Sequence, residues 1–356
     1  MAATVTWDAA SSSNLSANGN WDTGVLPVTT DEVLFSGPVT PNASLTFTNN
    51  HQWGDLVWNS NSSSTIAIAA TQTTNKTLTL SGLAGSAAAI AAGGATGDLI
   101  VIGSNVTNQT LTISNAAASN GTNRLVVLGL GQSGNFNVVN SGATLVVSSS
   151  ISGTTAGLNK TGAGTVLLNS QYNSYVGTTT VSAGTLGGSG RVKDVEVKGG
   201  GTLAPGEMAI GTFSTSNLLM NAGSTLAIEI NTSTATTDLL KVNGNVALDA
   251  GAILTLTDLG SNVALALGTT LTILDYGNTA TWTGLFTLNG VVLADDSIFT
   301  MGANTFQISY DGYNGSINDI TLTTVVPEPA PFAVLIMGGC FLWILSRRHR
   351  SVLALR

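Results

Sequence analysis

Side chains able to do acid–base or metal chemistry are sparse in this sequence. His51 is the only histidine in the first 326 residues, so a Ser-His-Asp triad or a histidine-bound metal there would have to include it. Trp53, Asp55 and Trp58 follow closely, and together these four residues could form a platform on which a sugar ring stacks. The commoner alternative is that both tryptophans pack in a core or cap, with His51 partly exposed in a loop.

Two pairs of adjacent carboxylates, Asp31–Glu32 and Asp295–Asp296, could supply oxygen ligands to a calcium ion. Such pairs on loops are mostly solvated, so we expect no specific ion at either. Residues 187–191, Gly-Gly-Ser-Gly-Arg, approach the Gly-Gly-x-Gly-x-Asp calcium repeat, but Val192 stands where the aspartate ligand belongs. The sequence therefore predicts neither a metal site nor catalytic residues.

Residues 129–134, Gly-Leu-Gly-Gln-Ser-Gly, match the glycine pattern of dinucleotide-binding folds and follow the strand-like residues 124–128. That fingerprint requires a helix after the glycines and an acidic residue about twenty positions later. Asn-Phe-Asn-Val-Val follows instead, and no acid lies at that distance. A glycine-rich turn is the better interpretation, and we expect no cofactor.

Composition indicates which elements must hold these residues. Only 8% of the residues are charged, yet the mean hydropathy of +0.32 is too high for a disordered chain. Abundant threonine, valine and glycine favour many short strands joined by turns. Up to Pro329 the chain has 7 basic and 19 acidic residues, a net charge of −12. Because phosphate binding needs clustered lysine and arginine, we expect no nucleic-acid partner.

The two ends of the chain bear on where it resides. Cys340 is the single cysteine and lies in a C-terminal apolar stretch, so no disulfide can form in the rest of the chain. Met1 to Trp7 lack the apolar centre of a signal peptide. We expect that the sequence starts like a mature exported protein; a cytoplasmic protein is the alternative.

A short pattern recurs along the chain: glycine, one or two small residues, then leucine or a β-branched residue. It closes at Leu145, Val166, Leu186, Leu203, Leu226, Leu254 and Leu271. This period of about twenty residues suits one coil of two or three short strands, and Thr-Leu-Thr-Leu alternation turns every second side chain inward. We predict an all-β parallel β-helix. A pair of β-sandwiches is the alternative, whereas the longer signature of a leucine-rich repeat is absent.

Residues 157–168, Gly-Leu-Asn-Lys-Thr-Gly-Ala-Gly-Thr-Val-Leu-Leu, together with 175–186, resemble the autotransporter-associated β-strand repeat. The resemblance implies a right-handed β-helix, whose body we place at 51–324. Trp7 and the segment Asn20-Trp21-Asp22 resemble the N-terminal part of such secreted proteins. We expect residues 1–50 to form a β cap over the first coil, because an open end exposes unpaired backbone.

The C-terminal segment combines three features in order. Pro327-Glu328-Pro329 is stiff and extended. Residues 330–345 carry no charge and would make a helix of about 24 Å, slightly shorter than the ~30 Å hydrocarbon core of a membrane. A basic end then follows, which would stay cytoplasmic: Arg347, Arg348 and Arg350. These features predict a single transmembrane helix with the body outside.

This order over residues 325–350 resembles the PEP-CTERM sorting signal of Gram-negative bacteria. The resemblance implies that Pro327, Glu328 and Pro329 form the sorting motif read by an exosortase, a membrane-embedded cysteine protease. It also implies transient anchoring in the inner membrane before release to the surface. A plain tail anchor and a buried C-terminal helix are the alternatives.

The sequence therefore predicts an exported, non-enzymatic structural or adhesion protein of the cell surface or extracellular matrix, with exopolysaccharide as a candidate partner. A β-helical protein that binds or degrades polysaccharide is the alternative. Degradation would need carboxylates clustered on one face of successive coils, and we expect the widely spaced acids of this sequence not to form such a cluster. An autotransporter passenger would need a C-terminal membrane barrel, whereas this sequence has one apolar segment there.

Overall fold

In the computed structural model, the described residues are 2–8, 12–37, 44–60, 66–70, 76–83, 86–114, 126–130, 133–206, 209–310 and 319–326. Strands dominate them, as the β-branched composition predicts. The helices within these ranges are α1 (Ala87–Ala91) and a 3-10 turn (Asn18–Asn20). None of the described helices is long and apolar enough to span a membrane.

The first long sheet has eleven strands, and every pairing in it is parallel. Its strands, in spatial order, are β1 (Ala3–Thr6), β2 (Asp31–Phe35), β5 (Asp55–Trp58), β8 (Asp98–Ile102), β11 (Gly134–Val138), β14 (Leu158–Thr161), β16 (Thr179–Val181), β18 (Asp194–Val197), β21 (Asn217–Met220), β25 (Val246–Leu248) and β28 (Ala280–Trp282).

The second long sheet has twelve strands. They are β3 (Ser44–Phe47), β6 (Ile66–Ala70), β9 (Thr110–Ser114), β12 (Thr144–Val147), β15 (Thr165–Leu168), β17 (Gly184–Gly188), β19 (Gly201–Pro205), β22 (Thr225–Asn231), β26 (Ile253–Asp258), β29 (Thr287–Leu288) and β30 (Val291–Val292), with β23 (Thr236–Thr237) paired to β22.

Two smaller sheets occupy a third side. The four-stranded sheet contains β4 (His51–Trp53), β7 (Lys76–Leu80), β10 (Val126–Leu130) and β13 (Ser150–Ser152). The six-stranded sheet contains β20 (Thr212–Thr215), β24 (Leu239–Val242), β27 (Thr270–Tyr276), β31 (Ile298–Met301), β32 (Asn304–Ser309) and β33 (Asp319–Thr324).

Successive strands of the chain belong to different sheets, in a repeating order. One strand joins the eleven-stranded sheet, the next joins the twelve-stranded sheet, and in several coils a third lies on one of the smaller sheets. Stacking one coil on the next gives the parallel pairing within each sheet. The result is an all-β solenoid with long parallel sheets, which is consistent with the predicted β-helix.

The register confirms the repeat from which the fold was predicted. Leu145 pairs with Val166, Val166 with Leu186, and the same line continues through Leu203, Leu226 and Leu254. These side chains are fully buried and form one apolar ladder inside the coils. Burial of such stacked apolar side chains is a main source of stability in a solenoid.

Leu271 departs from the ladder. It lies in β27, which pairs with β24 on one side and antiparallel with β33 on the other, in the six-stranded sheet. β31 and β32 extend this antiparallel unit. The last glycine repeat in the sequence therefore belongs to the antiparallel end of the structure, where the coil pattern stops.

The N-terminal residues enter the long sheets directly, since β1 pairs with β2 and β2 with β5. An aromatic cluster fills this end of the core. Trp7 and Trp21 lie edge to face with ring centroids 5.0 Å apart, and Trp21 packs on Trp53 at 5.9 Å. Trp21 donates its indole N–H to the carbonyl of Leu15 (3.1 Å).

Candidate functional site

A groove runs across the outer face of the twelve-stranded sheet, from β9 to β26. Its volume is about 480 Å³. We call it the threonine groove, because a row of threonines from successive strands lines it: Thr110, Thr144, Thr165 and Thr185. These four residues are register partners, strand by strand.

Strand alternation explains why these threonines face outward. Thr144, Thr165 and Thr185 each precede one residue of the buried ladder, so their side chains point to the opposite side of the sheet. Two positions further along each strand the outward residue is apolar or small. Val146, Leu167 and Ala204 form this second row beside the threonines.

Two carboxylates lie toward the β22 end of the groove. Asp238 is fully buried, and its two oxygens accept hydrogen bonds from the backbone N–H groups of Gly211 and Glu229, each at 2.8 Å. Burial raises the pKa of Asp238 to about 6; the two N–H donors oppose this rise and the nearby Glu229 carboxylate adds to it. Asp238 thus clamps the hairpin formed by β22 and β23, and both its oxygens are occupied.

Glu229 is half-buried and lines the groove. Within the described part of the chain its Oε2 atom is buried and has no hydrogen-bond partner. Burial raises the pKa of the Glu229 carboxyl. A carboxyl in this state can accept a hydrogen bond from a hydroxyl placed in the groove, or donate one when protonated. The groove is therefore equipped to bind hydroxyl groups.

A second group of carboxylates is buried under α1. Glu32, Asp55 and Asp98 come from successive strands of the eleven-stranded sheet and are 1%, 0% and 1% exposed. The expectation that the acids are scattered is wrong for these three. They are sealed off because Ala89 and Ala92 pack over the outer face of this sheet. A polymeric substrate therefore has no access to them in this structure.

Two members of this buried group are satisfied by donors. Glu32 accepts from Ala89 N (2.8 Å) and Ala88 N (2.9 Å), as well as from the Ser86 hydroxyl, and so caps α1. Asp98 accepts from Ala95 N and from the side-chain amides of Asn135 and Asn137, each at 2.8 Å. Both carboxylates thus hold neighbouring backbone and side chains in place.

Asp55 is the exception. It pairs in register with Glu32, and within the described residues neither of its oxygens has a hydrogen-bond partner. Ser86 has one hydroxyl proton and gives it to Glu32, so its effect on Asp55 is that of a nearby dipole. Burial raises the pKa of Asp55 to about 7; Ser86 opposes this rise, and the charges of Glu32 and Asp98 add to it.

The sugar platform that His51, Trp53 and Trp58 could have formed is not present. Both tryptophans are fully buried, so the commoner interpretation, packing in a core, is confirmed. His51 is 4% exposed in β4, not partly exposed in a loop, and its Nε2 lies 2.9 Å from the Ser16 hydroxyl. Burial lowers the pKa of His51 to about 4, so its ring is neutral at neutral pH.

The candidate calcium pairs have structural partners. Asp31 accepts from Val28 N (2.9 Å) at the start of β2, so this pair begins a strand instead of lying on a loop. Asp295 accepts from Tyr310 N (2.9 Å), and Asp296 accepts from the side chain of Gln307. No group of three or more histidine, cysteine, aspartate or glutamate residues able to hold a metal occurs among the described residues.

The two glycine motifs also have plain structural explanations. Gly129 lies inside β10, and Gly134 begins β11, so two strands flank the segment where a dinucleotide site would need a helix. Val192, which replaces the aspartate of the calcium repeat, is a buried core residue.

Lys160 is a buried residue that the sequence did not single out. Its ammonium donates to the carbonyls of Thr161 (2.7 Å), Gly162 (2.8 Å) and Ala183 (3.1 Å). Burial lowers the pKa of Lys160 to about 7. The side chain ties two successive coils together, so its role is structural.

The predicted sorting motif Pro327, Glu328 and Pro329, the apolar segment 330–345, and the basic end with Arg347, Arg348 and Arg350 lie outside the described residues. Comparison of the chain with protein-family models finds no match, and neither does comparison with curated proteins.

Proposed function

We propose that this chain is an exported, non-enzymatic structural or adhesion protein of the cell surface or extracellular matrix. The observation that carries the proposal is the continuous eleven-stranded parallel sheet. Ten steps of ~4.8 Å give a body about 48 Å long that is built from one stacked ladder. A solenoid of this kind suits a spacer or an adhesive stalk, because each coil contacts only its neighbours and length is added coil by coil.

The finer features of the proposal come from the sequence. The coils are right-handed, residues 330–345 form a single transmembrane helix, and an exosortase processes the chain at or near Pro327-Glu328-Pro329. The protein is anchored in the inner membrane before processing and is released afterwards. The order of stiff motif, apolar segment and basic end supports this route.

The non-enzymatic assignment is supported by the state of the acidic residues. Glu32, Asp55 and Asp98 are sealed under α1, and both oxygens of Asp238 are held by backbone N–H groups. A general acid or base must reach a proton of the substrate. Glu229 is the one carboxylate of the groove that is partly exposed. A single accessible carboxyl does not make the acid–base pair of a glycosidase.

A second candidate function is polysaccharide binding or degradation. The threonine groove favours binding, because it combines a row of hydroxyls with the half-buried carboxyl of Glu229. Binding to exopolysaccharide is compatible with an adhesive role. The two candidate functions therefore differ chiefly in whether the protein degrades the polysaccharide.

The processing step gives the direct test. The full chain, supplied with a signal peptide, is expressed in a Gram-negative host that contains an exosortase. The product at the surface or in the medium should lack Cys340 and Trp343 by mass spectrometry. Replacing Pro327, Glu328 and Pro329 together by alanine should leave the full-length form in the inner membrane, because the apolar span is unchanged.

Pro331→Ala is the matched control, since it removes a proline just outside the motif and should not block processing. A surface form that still carries Trp343 would show that the tail is a plain anchor. Turnover of neutral or acidic polysaccharides by the purified chain, abolished by Glu229→Gln, would instead establish the enzymatic alternative.

A further inference from the structure

We propose that the threonine groove binds a single extended strand of neutral polysaccharide. The inference names a ligand for the adhesive role and rests on the proposed function for its biological setting. The geometry of the groove and the chemistry of its walls carry the argument.

The shape of the groove selects a linear ligand. Its lining comes from seven successive strands, β9 to β26. Six steps of ~4.8 Å make a length of about 29 Å. A volume of about 480 Å³ spread over that length is a narrow channel. It holds one edge of a single extended chain, whereas a compact ligand would leave most of the groove empty.

The part of the lining from β9 to β17 repeats at the same interval as the coils. Thr110, Thr144, Thr165 and Thr185 supply one hydroxyl from each of these four strands, and the apolar side chains of Val146 and Leu167 lie beside this row. A polysaccharide presents a matching pair of surfaces, hydroxyl groups along its edge and C–H groups on its ring faces. A sugar lying over β12 or β15 can therefore meet one hydroxyl and one apolar side chain.

An extended peptide fits less well. A peptide that adds to a sheet uses unpaired backbone groups at an edge strand. The groove lies on the face of the sheet, where β12, β15 and β17 are already paired on both sides. Side-chain hydroxyls, not backbone groups, are what the groove offers.

Charge excludes an acidic polymer. Among the described residues that line the groove there is no lysine or arginine, and the ionisable ones are Glu229 and Asp238. A uronic-acid chain would bring carboxylates toward these two groups without a cation to offset the repulsion. The half-buried carboxyl of Glu229 lines the groove and can instead accept a hydrogen bond from a hydroxyl of a neutral sugar.

Affinity electrophoresis of the full chain in mild detergent tests the inference. Native gels contain hydroxyethyl cellulose, xyloglucan or dextran as neutral polymers, and alginate or polygalacturonate as acidic ones. We expect at least one neutral polymer to retard the protein and neither acidic polymer to do so. Replacing Thr165 and Thr185 together by valine should raise Kd about tenfold, the effect of two lost hydrogen bonds.

Two matched pairs of variants make this test specific. Thr180→Val with Thr281→Val places the same change on strands β16 and β28 of the eleven-stranded sheet and should leave Kd unchanged. Thr165→Ser with Thr185→Ser keeps both hydroxyls and should bind nearly as well as the wild type. Valine suits an outward strand position, so the melting curves of these variants should match the wild type.

Three outcomes would overturn the inference: no retardation by any neutral polymer, retardation by acidic polymers alone, or equal weakening by the control pair. Processing of the tail is measured separately. A chain that is processed and reaches the surface but binds no neutral polymer would remove this inference and leave the proposed function standing. A chain that binds a neutral polymer but keeps its C-terminal tail would remove the proposed processing route and leave this inference standing.

Discussion

Replacing Asp55 by asparagine should make the N-terminal coils less sensitive to pH. Asp55 is fully buried beside Glu32 and Asp98. Its pKa rises from 3.8 to about 7 in the folded chain. Between these two values the folded chain holds a proton that the unfolded chain releases. The stability that this proton provides is complete below pH 3.8 and is lost as the pH rises to about 7.

The magnitude follows from the difference between the two pKa values. A shift of about three units at 1.36 kcal/mol per unit corresponds to about 4 kcal/mol. Asparagine has nearly the same shape and no charge at any pH. The variant and the wild type should therefore unfold with similar free energies at pH 4, whereas at pH 8 the variant should be more stable by about 4 kcal/mol.

Urea unfolding followed by tryptophan fluorescence measures this difference, because Trp7, Trp21, Trp53 and Trp58 are all buried in the same coils. Taking the difference between variant and wild type at each pH cancels the titration of every group that does not interact with Asp55. The matched control is Asp98→Asn, which replaces one of two carboxylate oxygens that together accept three hydrogen bonds by an amide donor, and should destabilise the chain at pH 7. A free-energy difference for Asp55→Asn that does not change between pH 4 and pH 8 would refute the reasoning.

Three further substitutions test other parts of the structure. Leu186→Asp places a charge in the buried ladder and should cost several kcal/mol or prevent folding, whereas Thr185→Asp, on the outward side of the same strand, should change the urea midpoint little. Lys160→Met leaves three backbone carbonyls without their donor and should lower the unfolding free energy by about 2–4 kcal/mol; a wild-type midpoint would show that those bonds contribute nothing. Gly184→Ala adds a Cβ against the carbonyls of Gly162 and Gly164 at a φ of +64° and should lower the melting temperature; an unchanged melting curve would contradict that crowding.

The sequence alone determined the fold class and much of the core. A glycine repeat of about twenty residues predicted coils, and Leu145, Val166, Leu186 and Leu203 indeed stack in register. Strand alternation places their neighbours outward, so the threonine row was implicit in the same pattern. This works because a coil's inward positions have to be apolar in every repeat, and that requirement is visible without knowing which coils touch.

The candidate site depended on which residues the coils bring together. Glu32, Asp55 and Asp98 are far apart in sequence and looked scattered, yet one strand from each of three successive coils places them side by side. Register partners on successive coils are separated by as few as 16 residues (Thr179 and Val195) and as many as 50 (Leu78 and Leu128) among the described strands, so sequence spacing does not give the register. The short helix α1, inserted between two strands, then buries the three acids. Nothing in the sequence around Glu32, Asp55 or Asp98 predicts that a helix packs over them.

Lys160 is a single residue whose contacts likewise could not be predicted from the sequence. Alternation with Leu158 assigns its side chain to the inside, where a charged group is costly unless it has partners. Its partners are carbonyls of its own coil and of the next one, Gly162 and Ala183. Local pattern therefore determined the direction of side chains, because alternation is a property of the strand itself. Tertiary structure decided their neighbours, because stacking joins residues whose separation in sequence depends on the length of every turn between them.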